Sequence, residues 1–273
     1  FKISGNDVRD IKGNQKEYID FIKNGQFDIV TNFAAQQWAS DLVLKNLKEI
    51  KSKKIFVPTG FSGLFNPQFS KYFDKIPKFL TYYDSIIYLS NDYRDISFSR
   101  EFGINQGIVI PNGSSEIEFS SFKEDTEILK KYGINQSFII LNISTHTGAK
   151  GHFEAIQIFK ELNLNDSAFV IIGNTLKEIS HSCVNKCKEL AKEVNAIFNS
   201  DNRNNKIYIL DIDRHSTIKM LKNSDLFLFT SNIECSPLVL FEAMAAKLPF
   251  ATVDVGNSKE IINWSKGGFL LPT

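Results

Sequence analysis

Short apolar runs alternate with helix-like segments through the second half of the chain, and this alternation constrains the fold most strongly. The strand-like runs cover residues 138–143, 168–172, 206–210, 226–229 and 250–253. The helix-like segments between or after them cover residues 151–162, 176–194, 216–223, 238–246 and 258–264. Because parallel strands are joined by crossover helices, this alternation predicts βαβ units and a doubly wound parallel sheet. In such a domain, ligands bind at the carboxyl ends of the strands.

The first half shows the same alternation less regularly. Its strand-like runs cover residues 28–30, 54–57, 85–89 and 107–110. Residues 111–113 (Pro-Asn-Gly) then interrupt the pattern, and the polar stretch that follows has no periodicity. We therefore predict an α/β chain of two domains, with residues 1–119 in the first and residues 120–273 in the second. The alternative is a plain turn between two strands of one sheet.

The composition excludes several classes of protein. A chain of 273 residues is long enough for two domains with real cores. Lys and Arg number 32 against 31 for Asp and Glu, so the net charge of +1 indicates no general attraction to nucleic acid. No apolar run has the length of a membrane span, and nothing resembles a signal peptide. Three cysteines favour a reducing compartment over a disulfide framework. We expect a cytoplasmic protein, with peripheral contact at the inner face of a membrane left open.

The stretch between the last two predicted strands carries the strongest functional signal. Ser236 is a good helix N-cap, and Pro237 is favoured in a first turn. The helix predicted over residues 238–246 is apolar nearly all round, and Glu242 is its one carboxylate. A carboxylate in such surroundings needs a partner. A sugar diol would donate two hydroxyls to it, and an internal Arg or Lys would satisfy it equally well.

The start of the same helix predicts an anion site. The free amides of its first turn, at Leu238 and Val239, favour a negative group in the adjoining crevice. Glu234 lies just before the cap, on the loop that would face the ligand, although it would also suit a solvated loop. Together these residues indicate a site for a phosphorylated sugar.

Glu234 and Glu242 stand with seven residues between them and are followed by Ala243-Met244-Ala245 and Pro249. This pattern resembles the E-x7-E signature of family 4 retaining glycosyltransferases, which have the GT-B fold. The resemblance implies two Rossmann-like domains facing a cleft. It also implies that Glu242 binds the ribose hydroxyls of the donor and that Glu234 contacts the transferred sugar.

The chain departs from the family pattern at several positions. Lys247 stands where the family usually has glycine, and Cys235-Ser236-Pro237 replaces the commoner Gly-Phe-Gly. Relative to the family, the first domain lacks its opening strand and glycine-rich loop, and the second lacks its final helix. We therefore expect an incomplete first domain and a chain that covers most, but not all, of a full enzyme.

The segment of residues 144–151 connects the first strand of the second half to its helix. It contains Gly148, Lys150 and Gly151, so amides and a positive charge are available to phosphate. The spacing is not that of a Walker loop. The segment resembles the one whose lysine contacts the donor diphosphate in the family, which implies that role for Lys150. Thr145 stands where the family tends to carry an arginine. A solvated lysine in a turn is the alternative.

Other donor-side residues follow the neighbouring predicted strands. Gly173 and Asn174 should sit at the cleft edge by fold geometry. Ile212 lies where the backbone of the family usually meets the nucleobase, and the flanking Asp211 and Asp213 are predicted to be loop caps rather than ligands.

The first domain should supply the acceptor pocket. Asn32, Thr59 and Gly60 follow predicted strands, so we expect them to line the cleft. The family often places a histidine near Thr59, but residues 1–113 contain none.

No metal site is predicted. His181, Cys183 and Cys187 fall on or near one predicted helix, but no fourth ligand stands at a usual spacing. No cofactor is expected beyond the nucleotide-diphosphate sugar itself, which would be the donor substrate.

The resemblance implies a metal-independent, retaining hexosyltransferase-type enzyme. It would move a sugar from a nucleotide-diphosphate sugar to a hydroxyl of a glycan or lipid-linked saccharide, in glycan or surface polysaccharide assembly. A catalytically silent nucleotide-sugar-binding protein on the same fold is the main alternative. A Rossmann oxidoreductase is disfavoured because no G-x-G-x-x-G follows a strand.

Overall fold

The computed structural model describes residues 1–5, 10–121, 127–174 and 182–272, and it divides into two compact units. The first unit comprises Phe1–Pro111 with Glu234–Ser236, and the second comprises Asn112–Ile233 with the chain from Pro237 onward. The division therefore falls at residue 111 rather than at the predicted residue 119. The reason lies in packing, because the Phe119 side chain is buried in the core of the second unit.

The first unit is built on a four-stranded parallel sheet with strand order β3-β4-β5-β6, beside a small antiparallel ribbon of β1 and β2. Its strands are β1 Ile3–Ser4, β2 Lys12–Gly13, β3 Ile29–Phe33, β4 Lys53–Val57, β5 Ser85–Tyr88 and β6 Gly107–Val109. Its helices are α1 Gln15–Asn24, α2 Trp38–Leu44, α3 Ser70–Phe73, α4 Ile76–Leu80 and α5 Arg94–Glu101. The predicted strands are all present, with ends that shift by a few residues.

The loops that follow β3 and β4 have unusual backbone conformations. Ala34 and Gln36 after β3, and Thr59, Gly60 and Phe61 after β4, all have positive φ angles between 48° and 100°. Residues other than glycine adopt this region at a cost, and such strain concentrates at functional sites. Backbone strain in the first unit is therefore found in the two loops that follow β3 and β4.

The second unit is built on a six-stranded parallel sheet with strand order β12-β11-β10-β7-β8-β9. Its strands are β7 Phe138–Ile143, β8 Ser167–Ile172, β9 Lys206–Leu210, β10 Leu226–Phe229, β11 Phe250–Thr252 and β12 Gly268–Leu270. Its helices are α6 Glu116–Ser120, α7 Glu127–Lys131, α8 His152–Glu161, α9 Val184–Ser200, α10 Arg214–Lys222, α11 Leu238–Ala245 and α12 Ser258–Ser265.

Both faces of the second sheet are covered, as a doubly wound domain requires. Leu141 and Phe227 belong to the core on one face, whereas their sequence neighbours Ile140 and Leu228 belong to the core on the other. Every residue of β8 is buried. The apolar runs in the sequence are therefore continuous because both faces of these strands are buried, so apolar and polar residues do not alternate along them.

The second unit differs from the prediction in several elements, among them its last strand and its longest helix. The edge strand β12 was not expected, because its three residues are partly exposed and follow directly on α12. Helix α9 continues to Ser200 instead of ending at residue 194, since Phe198 is fully buried in the last turn. The predicted start of that helix falls within residues 175–181, which lie outside the described residues. In the part of the chain that is described, no helix combines the length and the apolar character needed to cross a bilayer.

Candidate functional site

Two loops of the second unit meet at one edge of its sheet. Strands β7 and β10 are parallel neighbours, so the segments that follow them leave the same edge. We call residues 144–151 the β7 loop. The Thr230 hydroxyl donates to the Gly151 carbonyl at 2.8 Å, and the Asn232 amide donates to the Ala149 carbonyl at 2.9 Å. These bonds fix the β7 loop against the chain that leads toward α11.

Gly151 is required for this close approach. It adopts φ 66° directly before α8, and a Cβ on it would lie 1.9 Å from the Thr230 carbonyl oxygen. No larger residue fits there without moving the backbone. Its neighbour Lys150 is partly buried, and Gly148 is exposed with φ 77°. The structure thus brings the predicted lysine and glycines to the sheet edge on one constrained loop.

Helix α11 begins at Leu238, as predicted, but its N-cap residue differs from the prediction. Pro237, with φ −69° and ψ 112°, occupies the N-cap position, so the predicted Ser236 cap is wrong. The cause is the extended backbone of Pro237, which places Leu238 as the first helical residue. Leu238 is exposed and Val239 is half-buried. The amides of a first turn have no partner further back in the helix, so this end of α11 keeps the polarity that favours an anion.

The Glu242 carboxylate is paired with a protein cation. Arg214, the first residue of α10, donates from Nη1 to Glu242 Oε1 at 2.7 Å. The same guanidinium donates from Nε and Nη2 to the two oxygens of Glu118 at 3.0 and 2.8 Å. Of the two partners that the sequence left open for Glu242, the structure therefore contains the internal arginine. No described residue donates to Glu242 Oε2, so one oxygen is left for another donor.

The charges of this trio are mutually stabilising. The pKa of Glu118 is lowered by its hydrogen bond from Arg214, and the pKa of Arg214 is raised by its bonds to Glu118 and Glu242. One guanidinium shared by two carboxylates leaves the group with one net negative charge. Such a group suits hydroxyl donors better than it suits a phosphate. Arg214 was not singled out from the sequence, and the only available signal was its place directly after the capping Asp213.

Two of the remaining donor-side residues, Gly173 and Asn174, lie beside the β7 loop. The Gly173 amide donates to the Leu210 carbonyl at 3.0 Å, and the Asn174 carbonyl accepts from the His146 amide at 3.5 Å. Ile212 is partly buried against the core. Asp213 caps α10 by accepting from the Ser216 amide at 2.8 Å, which confirms its predicted role.

The residues predicted for the acceptor side lie in the first unit. Asn32 is inside β3 rather than after it, is buried, and accepts from the Tyr83 hydroxyl at 3.0 Å. Thr59 and Gly60 lie on the strained loop after β4, where the Gly60 amide donates to buried Asp95 at 2.9 Å. Glu234 groups with this unit, whereas Glu242 belongs to the second.

A cluster of nitrogen and sulfur ligands also lies in the second unit. His146, His152, Cys183 and Cys187 bring one ligand atom each within 4.8 Å of one another. Burial lowers the pKa of both histidines, that of His152 to about 4, and raises the pKa of Cys187 to about 12. The expectation of no metal considered these cysteines with His181, which lies outside the described residues. The two histidines of the cluster stand more than thirty residues earlier in the chain.

One family of known proteins matches the second half of the chain. The family model for glycosyl transferases group 1 matches residues 124–273, which is more than half of the chain. The chain belongs to this family. No curated protein matches it.

Solved structures of glycosyltransferases are similar to this chain in fold. A glycosyltransferase from Rickettsia africae is 23% identical, with a TM-score of 0.70 over 94% of this chain and 65% of that chain. Trehalose-6-phosphate from E. coli with UDP-2-fluoro glucose is 13% identical, with a TM-score of 0.72 over 94% of this chain and 65% of that one. Anabaena HepE in complex with UDP is 15% identical, with a TM-score of 0.72 over 94% of this chain and 67% of that chain. The fold is therefore of the GT-B type, and the chain spans about two thirds of the length of these structures.

Proposed function

We propose that this protein is a retaining glycosyltransferase of the E-x7-E type. It would move a sugar from a nucleotide-diphosphate sugar to a hydroxyl of a glycan or lipid-linked saccharide, without a metal ion at the reacting centre. The observation that carries the proposal is the half-buried Glu242 carboxylate, which Arg214 holds by one oxygen on a helix that follows the central strand β10.

Glu242 would bind the ribose hydroxyls of the donor. Its Oε2 accepts no bond from a described residue, and its Oε1 can accept a second bond beside the one from Arg214. Because Arg214 restrains the side chain, less conformational freedom would be lost when the sugar diol binds. An arginine partner is thus compatible with ligand binding, because it orients the carboxylate and leaves acceptor positions on it for the ligand.

The diphosphate would lie between the β7 loop and the start of α11. Lys150 would supply a full positive charge, and Gly148 would allow the loop backbone to approach closely. The amides at Leu238 and Val239 would contribute the dipole of α11. These groups stabilise charge on the departing diphosphate, which is the main contribution that a protein makes in such a transfer.

The remaining predicted residues would complete the site. Glu234 would contact the transferred sugar, and Thr59 and Gly60 would line the acceptor side. Gly173, Asn174 and Ile212 would approach the donor through backbone groups. Retention implies a front-face displacement in which the leaving diphosphate helps to deprotonate the acceptor hydroxyl. The setting would be glycan or surface polysaccharide assembly in the cytoplasm, with peripheral contact at the inner membrane face.

The structural relatives support this donor class. One was crystallised with UDP and another with UDP-2-fluoro glucose. A thermal-shift screen against nucleotide-diphosphate sugars, with UDP-glucose included, should identify a donor that raises the melting temperature. When this donor is incubated with a panel of hydroxyl acceptors, the protein should release free nucleotide. The anomeric configuration of the product should match that of the donor. An inverted product, or no donor that binds, would overturn the proposal.

A catalytically silent nucleotide-sugar-binding protein is the second candidate. Two observations favour it, namely Thr145 in place of an arginine five residues before Lys150, and the absence of histidine from residues 1–113. The same screen separates the two candidates. Donor binding without nucleotide release in the presence of any acceptor would select the silent protein.

A further inference from the structure

Four side chains of the second unit converge behind the β7 loop. His146 lies within that loop, and His152 opens α8 directly after it. Cys183 occupies the N-cap position of α9, and Cys187 follows one turn later on the same helix. Three of the four residues are buried and Cys183 is half-buried. The cluster is therefore set into the domain and is not an accidental meeting of surface side chains.

The spacing of the ligand atoms approaches that of a tetrahedral metal centre. Cys183 Sγ lies 3.5 Å from Nδ1 of His146 and 3.5 Å from Nδ1 of His152. With metal–nitrogen and metal–sulfur bonds of roughly 2.0 and 2.3 Å, neighbouring nitrogen and sulfur ligands stand about 3.5 Å apart in a tetrahedral zinc centre. All four atoms fall within 4.8 Å of one another, so an ion needs to draw the widest pair together by only about 1 Å.

A chain of hydrogen bonds fixes the tautomer that a metal ligand requires. Asn142 donates its amide to the Leu228 carbonyl at 2.8 Å, which leaves its Oδ1 to accept from the Ser144 hydroxyl at 3.1 Å. Because Ser144 has only one hydroxyl proton, its 2.7 Å contact with His152 must be donated by Nε2–H. A neutral His152 then carries a free lone pair on Nδ1, which faces Cys183. A second partner that orients the imidazole is typical of metal-binding histidines.

The second histidine also lacks a competing partner. His146 Nε2 is buried without a hydrogen bond, and its Nδ1 faces the same sulfur of Cys183. The two imidazole rings lie with their centroids 4.4 Å apart. A metal ion would provide a strong partner for both inward-facing nitrogens, where the metal-free cluster offers them only a weak thiol donor.

We infer that His146, His152, Cys183 and Cys187 form a structural binding site for one zinc ion. Binding would join Zn²⁺ to two imidazole nitrogens and two thiolates, and the two thiol protons would leave to solvent. The resulting centre carries no net charge, which suits a buried position. Four protein ligands leave no open position, so the ion would not take part in sugar transfer. Its role would be to tie the β7 loop, and with it Lys150, to the start of α9.

Metal analysis of the whole chain tests this inference independently of any activity. The protein, stripped with a chelator and incubated with zinc alone, should retain about one equivalent of zinc after desalting. Loaded with cobalt(II) alone, it should show thiolate-to-cobalt charge-transfer absorption and the visible bands of a tetrahedral ion. Cys187→Ser and His152→Ala should each reduce zinc content at least tenfold. Ser144→Ala should keep the stoichiometry but weaken affinity by about 10–100-fold.

The chain offers matched controls. Cys235→Ser removes the third cysteine and His215→Ala removes a histidine outside the cluster, and both should keep one equivalent of zinc. Circular dichroism should show that all variants are folded. If one variant does not fold, the cobalt spectrum of the wild-type protein still tests the inference. The inference is overturned by wild-type zinc content no higher than that of Cys187→Ser, by a cobalt spectrum without charge transfer, or by a Cys183–Cys187 disulfide detected by mass spectrometry.

Discussion

Arg214 donates a hydrogen bond of 2.7 Å from Nη1 to Glu242 Oε1, and it donates two further hydrogen bonds to the carboxylate of Glu118. Helices α6, α10 and α11 are thereby linked through one guanidinium. The carboxylate that the sequence marked as needing a partner has a protein partner at one oxygen. The other oxygen accepts no bond within the described chain. The contact therefore joins three helices and leaves one Glu242 oxygen without a donor among the described residues.

The Arg214–Glu242 pair should contribute modestly to stability. We expect a double-mutant cycle with Arg214→Ala and Glu242→Gln to give a coupling of about 1 kcal/mol in urea unfolding, because the Arg214 side chain is 47% exposed and solvent screens the pair. The Arg214–Glu118 cycle should give a smaller coupling, since Glu118 is more exposed than Glu242. A coupling near zero for the first pair would show that the contact is not formed in solution.

Replacement of Lys247 by glycine should stabilise the folded protein. Lys247 adopts φ 60° after α11, and the Leu248 amide donates to the Ala243 carbonyl at 2.8 Å, as in a glycine-terminated helix. Lys247→Gly should therefore raise the free energy of unfolding by about 0.5–1 kcal/mol. Lys247→Ala removes the same side chain but keeps a Cβ, so it should give no such gain. Equal effects of the two substitutions would contradict a strained backbone at this position.

Gly151 should tolerate no side chain. Gly151→Ala places a Cβ 1.9 Å from a backbone oxygen in addition to the positive φ, and we expect a loss of more than about 2 kcal/mol in stability. Gly133→Ala is the matched control, because Gly133 has φ +67° and nothing within 4 Å of its added Cβ. It should lose only about 1 kcal/mol. Similar losses in thermal or urea unfolding would refute the close approach of the β7 loop to Thr230.

Asp84 should make stability depend on pH in the acid range. The Lys54 amide and the Lys53 ammonium bond its carboxylate, and the Lys54 amide bond is the main cause that lowers its pKa to about 2. Because the folded pKa lies below the unfolded one, the stabilisation is complete above about pH 4 and is lost as the pH falls toward 2. Urea unfolding of Asp84→Asn should show a flatter pH profile across this window. Lys53→Met should give an intermediate profile, and an unchanged profile in Asp84→Asn would exclude this assignment.

The sequence allowed the architecture of the second unit to be predicted because its strands are buried on both faces. Runs such as residues 168–172 are apolar throughout, and helices of ordinary length separate them, so few other topologies fit. Strand β12 was missed because three partly exposed residues carry almost no periodic signal. The start of α11 was predicted correctly, but its N-cap was assigned to Ser236 instead of Pro237, because serine is a common N-cap and proline is favoured in the first turn.

The site was predictable only where one segment carried the whole signal. The β7 loop and Glu242 could be proposed from the sequence because the residues that mark each of them lie within a few positions in the chain. Arg214 and the cluster of His146, His152 and Cys183 depend on contacts between distant segments. No spacing rule connects the loop after β7 to α9, which begins only after α8 and β8, so these contacts required the fold.

The role of Glu242 in donor binding is tested most directly by calorimetric titration with the nucleotide-diphosphate sugar that the thermal-shift screen selects. Glu242→Ala should lower the affinity at least about tenfold, since a charged hydrogen bond contributes roughly 1.5–3 kcal/mol. Glu161→Ala, which removes an exposed carboxylate at the end of α8, should bind as the parent does. Parental affinity in a folded Glu242→Ala variant would contradict the account.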